Sequence, residues 1–99
     1  MRIFSKSEPV SEIEIENAFV EAHLSDGTLH EYTINNIELH STNVWFVDYS
    51  VLPKDGHTME WIAGNGEFGE DGWIVHKSLF VHVVKTDGVV HLRIIGTGL

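Results

Sequence analysis

The chain has no cysteine, which excludes disulfides, thiol nucleophiles, thiolate zinc sites and iron–sulfur clusters. Cations are scarce: six Lys and Arg stand against fifteen Asp and Glu, for a formal net charge of -9 with the histidines neutral. Direct binding to nucleic acid or to an anionic membrane draws its affinity largely from Lys and Arg, so neither is expected. No apolar run approaches the roughly 18–20 residues of a membrane helix. The stretch from Met1 to Val10 is too polar for a secretory leader. These absences leave a soluble, acidic, cytoplasmic protein as the expectation, with residues 1–99 forming a single domain.

What is present argues for strands. With 42% apolar residues and ten aromatics the chain can build a core. Turn dipeptides separate short β-branched or aromatic runs. Asp26-Gly27 divides Ala18–Ser25 from Thr28–Ile34, Pro53-Lys54-Asp55-Gly56 divides Val44–Val51 from His57–Ala63, and Asp87-Gly88 divides Ser78–Thr86 from Val89–Ile95. Asp-Gly suits the two positive-φ positions of a type I′ hairpin turn. Adding Ile37–His40, entered through Asn35-Asn36, the fold class is all-β: an antiparallel sandwich or small, partly open barrel of about seven short strands. In the last hairpin a two-residue loop pairs Thr86 with Val89, Val83 with Leu92 and Val81 with Ile94. That register puts Leu79, Val81, Val83, Val90, Leu92 and Ile94 on one face.

Residues 12–24 read two ways. Ser11-Glu12-Ile13-Glu14 fits a capping box, followed by Ile15, Ala18, Phe19 and Ala22 at helical spacing. The strict alternation Glu12-Ile13-Glu14-Ile15-Glu16 and the following Asp26-Gly27 favour a strand over the helix. As a strand it sets Glu12, Glu14 and Glu16 on one face, about 6.7 Å apart.

Gly64-Asn65-Gly66-Glu67-Phe68-Gly69 spells the G-x-G-x-x-G of phosphate-binding loops. The residues that follow, Glu70-Asp71-Gly72-Trp73, start no helix and add carboxylates that repel phosphate, so a surface loop is expected. Its oxygen-bearing side chains lack the spacing of a calcium loop. The seven histidines contain no H-x-H or H-E-x-x-H spacing, and no metal or other cofactor is expected. Cross-strand pairs, His23 with His30 and His82 diagonal to His91, are the arrangements that merit a metal test. No nucleophile motif is present, so the chain is not expected to be an enzyme.

Charge is uneven. From Glu8 to Glu38 there are eight acids and no Lys or Arg. The leading expectation is a protein-binding module or inhibitor that docks a basic protein, for instance one that binds nucleic acid, through Glu12, Glu14, Glu16, Glu21 and Glu31, with aromatic anchors. The alternative is a structural or assembly protein forming homo-oligomers by strand addition, and the third reading is a metal- or small-ligand-binding domain.

Overall fold

In the computed structural model, which describes residues 8–97, Ser11 opens a helix rather than a strand. Its hydroxyl accepts the Glu14 N–H at 3.2 Å while its own N–H donates to the Glu14 carboxylate at 3.0 Å, a closed capping box. Helix α1, Glu12–Phe19, buries Ile15 and Phe19 and leaves Ile13 60% exposed. The alternating pattern that suggested a strand required Ile13 and Ile15 on the same side. Burying Ile15 and Phe19 contributes about 1.5–3 kcal/mol each, and together with the satisfied cap this decides for the helix.

The helix continues as a π-helical turn, Val20–Leu24. An α-helical continuation would present Ala22 or His23 inward. The wider turn brings Leu24, five residues after Phe19, into the core. The Ser25 hydroxyl donates to Glu21 O at 2.7 Å and ends it. Asp26-Gly27 is therefore a helix-to-strand connection, in which Asp26 accepts the Thr28 N–H and hydroxyl at 3.0 and 2.6 Å. His23 and His30 do not face each other across a hairpin.

Among the described residues five strands follow, not seven. The expected runs 28–34 and 37–40 fuse into β1, Leu29–Ser41, which pairs antiparallel with β2, Val44–Pro53. The Asn35-Asn36 signal is a bulge within β1: the register shifts between Ile34 and Asn36, and Asn35 donates to Ser50 Oγ at 3.1 Å. Ile34 and Ile37, three apart, both reach the core side because of it. His57–Ala63, expected as a strand, instead contains the short helix α2, Thr58–Ile62, which buries Trp61. The two-residue strand β3, Glu67–Phe68, leads to β4, Ile74–Thr86, and β5, Val89–Thr97.

The sheet runs β1-β2-β4-β3, with β5 also pairing β4. The final hairpin has the expected register, Val81 with Ile94, Val83 with Leu92 and Thr86 with Val89. Asp87 and Gly88 adopt φ of 53° and 79°, as a type I′ turn requires.

The architecture is a curled antiparallel half-barrel with a short helix. Ile37, Val47, Tyr49, Val51, Ile74, Leu79, Val81 and Val83 from the sheet join Ile15, Phe19 and Leu24 in the core, closed at one end by Trp61. On the opposite side of the sheet Phe46 packs edge-on against Phe80, at 5.5 Å between centroids, with His40 4.7 Å from Phe80. Among the described residues no helix is long and apolar enough to cross a membrane.

Candidate functional site

Strand alternation normally sends residues three apart to opposite faces. In β4, Tyr49 of β2 pairs with Lys77 while Val51 pairs with Ile74, so Val75 and His76 together oppose Ser50. This bulge, with His76 at φ 59°, turns both Ile74 and Lys77 inward. Lys77 thus enters the core side of the sheet on the same alternation as Leu79, Val81 and Val83, and is only 4% exposed.

The glycine-rich loop holds it there. Lys77 Nζ donates to Asn65 O at 2.7 Å and to Ala63 O at 3.4 Å. Asn65 pairs with β4 as a strand residue would: its amide donates to Ser78 O at 2.9 Å, and its side-chain oxygen accepts the Ser78 N–H at 3.2 Å. Gly66, at φ +106°, lies so close that a β-carbon there would stand 2.6 Å from Lys77 Cγ and 3.2 Å from Val75 O. The central glycine of this pattern, Gly66, serves a close approach to a lysine stem.

Around Lys77 opens a cleft of about 620 Å³ between the π-helical turn, α2 and the sheet. Its walls include His23, Tyr49, Trp61 and Leu79, and Glu21, Asp26 and Glu60 stand exposed at its edge. Trp61 is fixed by an indole N–H donated to Thr28 Oγ1 at 2.7 Å. His23 stacks edge-on against Trp61, at 5.3 Å between centroids, and its Nε2 lies 3.2 Å from the Tyr49 hydroxyl. Lys77 Nζ sits 6.0 Å from the centroid of the Tyr49 ring.

The titrating groups are displaced by these surroundings. Burial pushes the Tyr49 phenol well above its ordinary value. Burial lowers Lys77. His23 is lowered first by burial and then by the Lys77 charge, against a smaller opposing pull from Asp26. Among the described residues no carboxylate lies within ion-pair distance of Lys77. Among the described residues the buried Lys77 ammonium is held by two main-chain carbonyls and the Tyr49 ring.

Glu12, Glu14 and Glu16, expected on one face of a strand, are parted by the helix, and Glu21 and Glu31 lie on separate elements. Glu14 faces Lys85 at 2.7 Å, and this contact, with the Ser11 N–H, lowers its pKa to about 2. Glu14 and Glu21 border one groove beside Val90 of β5, whereas Glu12 and Glu16, one turn apart, lie on the other flank of α1. Glu31 is on β1, and only Glu21 touches the cleft. Of the expected aromatics, Tyr49 and Trp61 reach the cleft, and Phe68 is exposed on β3. His82 and His91 are diagonal neighbours on the β4–β5 hairpin as expected, yet no three metal-ligating side chains converge among the described residues.

Lys77 was missed because the expected strand began at Ser78. Extending its alternation back by two residues reaches Lys77, but a lysine in that position reads as a strand end in solvent. Comparison of the chain with protein-family models, with curated proteins and with solved structures returns no match.

Proposed function

We propose that the protein is a small-ligand-binding domain whose site is the Lys77 cleft. The observation that carries this reading is the cleft itself, about 620 Å³ with aromatic walls and one buried cation. Small-molecule sites are typically concave spaces of roughly 300–1,000 Å³, mostly apolar, with few placed polar groups. A 99-residue chain spares little volume for a cavity, but a sheet curled into only half a barrel leaves room for this one.

Binding is favoured over catalysis by the polar groups present. Tyr49 and His23 are bonded to each other and displaced to opposite sides of neutral pH, so neither suits proton transfer there. A ligand would lose water against Trp61 and Leu79 and gain hydrogen bonds at the inner end.

Amide-shift mapping with a small library of monocyclic fragments tests this. Hits are expected to move Ala22, Trp61, Ala63 and Asn65. Hits confined to other surfaces, or none at millimolar concentration, would remove the cleft reading.

The basic-partner reading retains Glu12, Glu21 and Glu31, which are exposed and without an ion-pair partner among the described residues. Lysine substitutions at those three positions that leave a salt-sensitive complex unchanged would dispose of it.

A further inference from the structure

Resting on the cleft reading, we infer that the ligand is a small monocarboxylate. Its carboxylate meets the Lys77 ammonium, and its flat apolar body lies against Trp61 and Tyr49.

The argument starts from charge. A lysine only 4% exposed has left water, and an ammonium so placed needs either a counter-charge or a full set of acceptors. Lys77 has neither. Two of its three N–H directions are taken by Asn65 O and Ala63 O, and the third has no oxygen or nitrogen acceptor among the described residues. Among the described residues no neighbour supplies the missing charge: burial keeps the Tyr49 phenol protonated, and His23 is pushed toward neutrality by burial and then by Lys77.

Nor is the side chain placed to withdraw toward water, as lysines at apolar surfaces commonly do. Its backbone is locked in the ladder opposite Tyr49, and Gly66 presses on its stem at Cγ. The protein thus holds a positive charge at the inner end of a cavity and leaves one hydrogen-bond direction open.

The rim narrows the class. Glu21, Asp26 and Glu60 repel an incoming anion, and a dianion about twice as strongly as a monoanion. The dianion's attraction to Lys77 doubles as well, but its desolvation cost rises about fourfold, with the square of the charge. A single cation also leaves it half-neutralised, so a carboxylate is the better match. The walls favour a planar body, since Trp61 and Tyr49 present fixed rings.

The full chain is titrated at constant ionic strength and pH 7.5 with benzoate and indole-3-acetate. Benzamide and indole-3-acetamide serve as neutral isosteres, and phenyl phosphate as the dianion. The acids are expected to bind at least about tenfold more tightly than their amides, the worth of one hydrogen bond to a charged group. They are also expected to bind more tightly than phenyl phosphate, and to move the Asn65, Gly66 and Lys77 amides. In Lys77→Met the acid-to-amide ratio falls to about one while amide binding persists. Should that variant fail to fold, the Lys77 side-chain methylene signals of the unaltered protein decide, moving with the acid and not with the amide. Equal affinity for acid and amide at the cleft would overturn the carboxylate inference and leave the cleft reading standing. If no probe moves cleft residues, both fall.

Discussion

Gly66→Ala is the sharpest probe of how the glycine loop is seated. Its added β-carbon would meet Lys77 Cγ at 2.6 Å, Ile74 Cγ2 at 3.1 Å and Val75 O at 3.2 Å. None of these atoms is the far end of a flexible side chain, since the Ile74 methyl sits on a stiff β-branched stem, so relief requires the loop to lift from β4. The overpacking costs about 1–3 kcal/mol, and the backbone at φ +106° adds about 1–3 kcal/mol for a residue with a β-carbon. Reduced freedom of the unfolded chain returns about 0.4–1 kcal/mol. The net loss is therefore about 1–5.5 kcal/mol, centred near 3. Gly88→Ala is the control, with φ +79° and nothing within 4 Å of its β-carbon, so that only the backbone cost applies. At about 4–8 °C per kcal/mol for a domain of this size, Gly66→Ala is expected to lower Tm by on the order of 10 °C or more, at least twice the loss for Gly88→Ala. Urea unfolding gives the free energies directly. A second arm uses Lys77→Ala, which removes the Cγ atom. The two substitutions should couple, the alanine at 66 costing about 1–2 kcal/mol less in that background. Equal losses for Gly66→Ala and Gly88→Ala, or additivity in the double variant, would refute the packing of Gly66 on Lys77.

Other outcomes follow from single contacts. Thr28→Val leaves the buried Trp61 indole N–H without its acceptor and is expected to cost about 1–3 kcal/mol in urea unfolding, with Thr28→Ser close to unaltered. The Glu14 carboxyl is expected to titrate near 2 by carbon-detected NMR, held down first by Lys85 and then by the Ser11 N–H. Its folded value lies below the unfolded value of 4.5, so its contribution to stability is present above pH 4.5 and is lost as pH falls toward 2; Lys85→Met should raise the midpoint. His23, lowered by burial and by Lys77, contributes stability that is full above pH 6.5 and declines on acidification through its folded value. His23→Gln is expected to flatten the fall in Tm between pH 7 and 5, and an unchanged slope would contradict the assignment.

The parts of the fold legible in the sequence are those in which neighbours in the chain satisfy one another. Asp87-Gly88 specifies its turn through two residues that tolerate positive φ, and the strands on either side carry a face separation that a one-residue slip would destroy. The Ser11–Glu14 capping box is equally local, and it was outweighed only because Glu12–Glu16 alternates as a strand does. Five residues of alternation are too few to distinguish the two periods when both leave an isoleucine available to the core. Asn35-Asn36 and Asp26-Gly27 show the limit of turn signals. The same residue types make a bulge in β1 and a helix-to-strand connection, and local chemistry does not say whether the chain then reverses.

The candidate site was less legible because its parts are distant in sequence. Lys77 carried a usable signal, its period-two relation to Leu79, Val81 and Val83. Lys77 follows that phase through its pairing with Tyr49, and the bulge at Val75–His76 begins only beyond it; the extension of the strand past Ser78 is what local pattern did not show. The shared face of Glu12, Glu14 and Glu16 was lost for a related reason. Adjacency in sequence became opposite flanks once α1 formed, and Glu14 was taken by Lys85 of β4.

The sequence by itself determined a strand-dominated antiparallel domain without thiol chemistry, the register of its final hairpin, and a capping signal at Ser11. Only the tertiary structure decided that residues 12–24 are helical, that the sheet closes half a barrel, and that a lysine, a tyrosine, a histidine and a tryptophan from four segments share one cleft. The division follows the range of the forces. Turn and cap preferences act within a few residues, whereas burial, and the charge it strands at Lys77, exists only once distant segments have met.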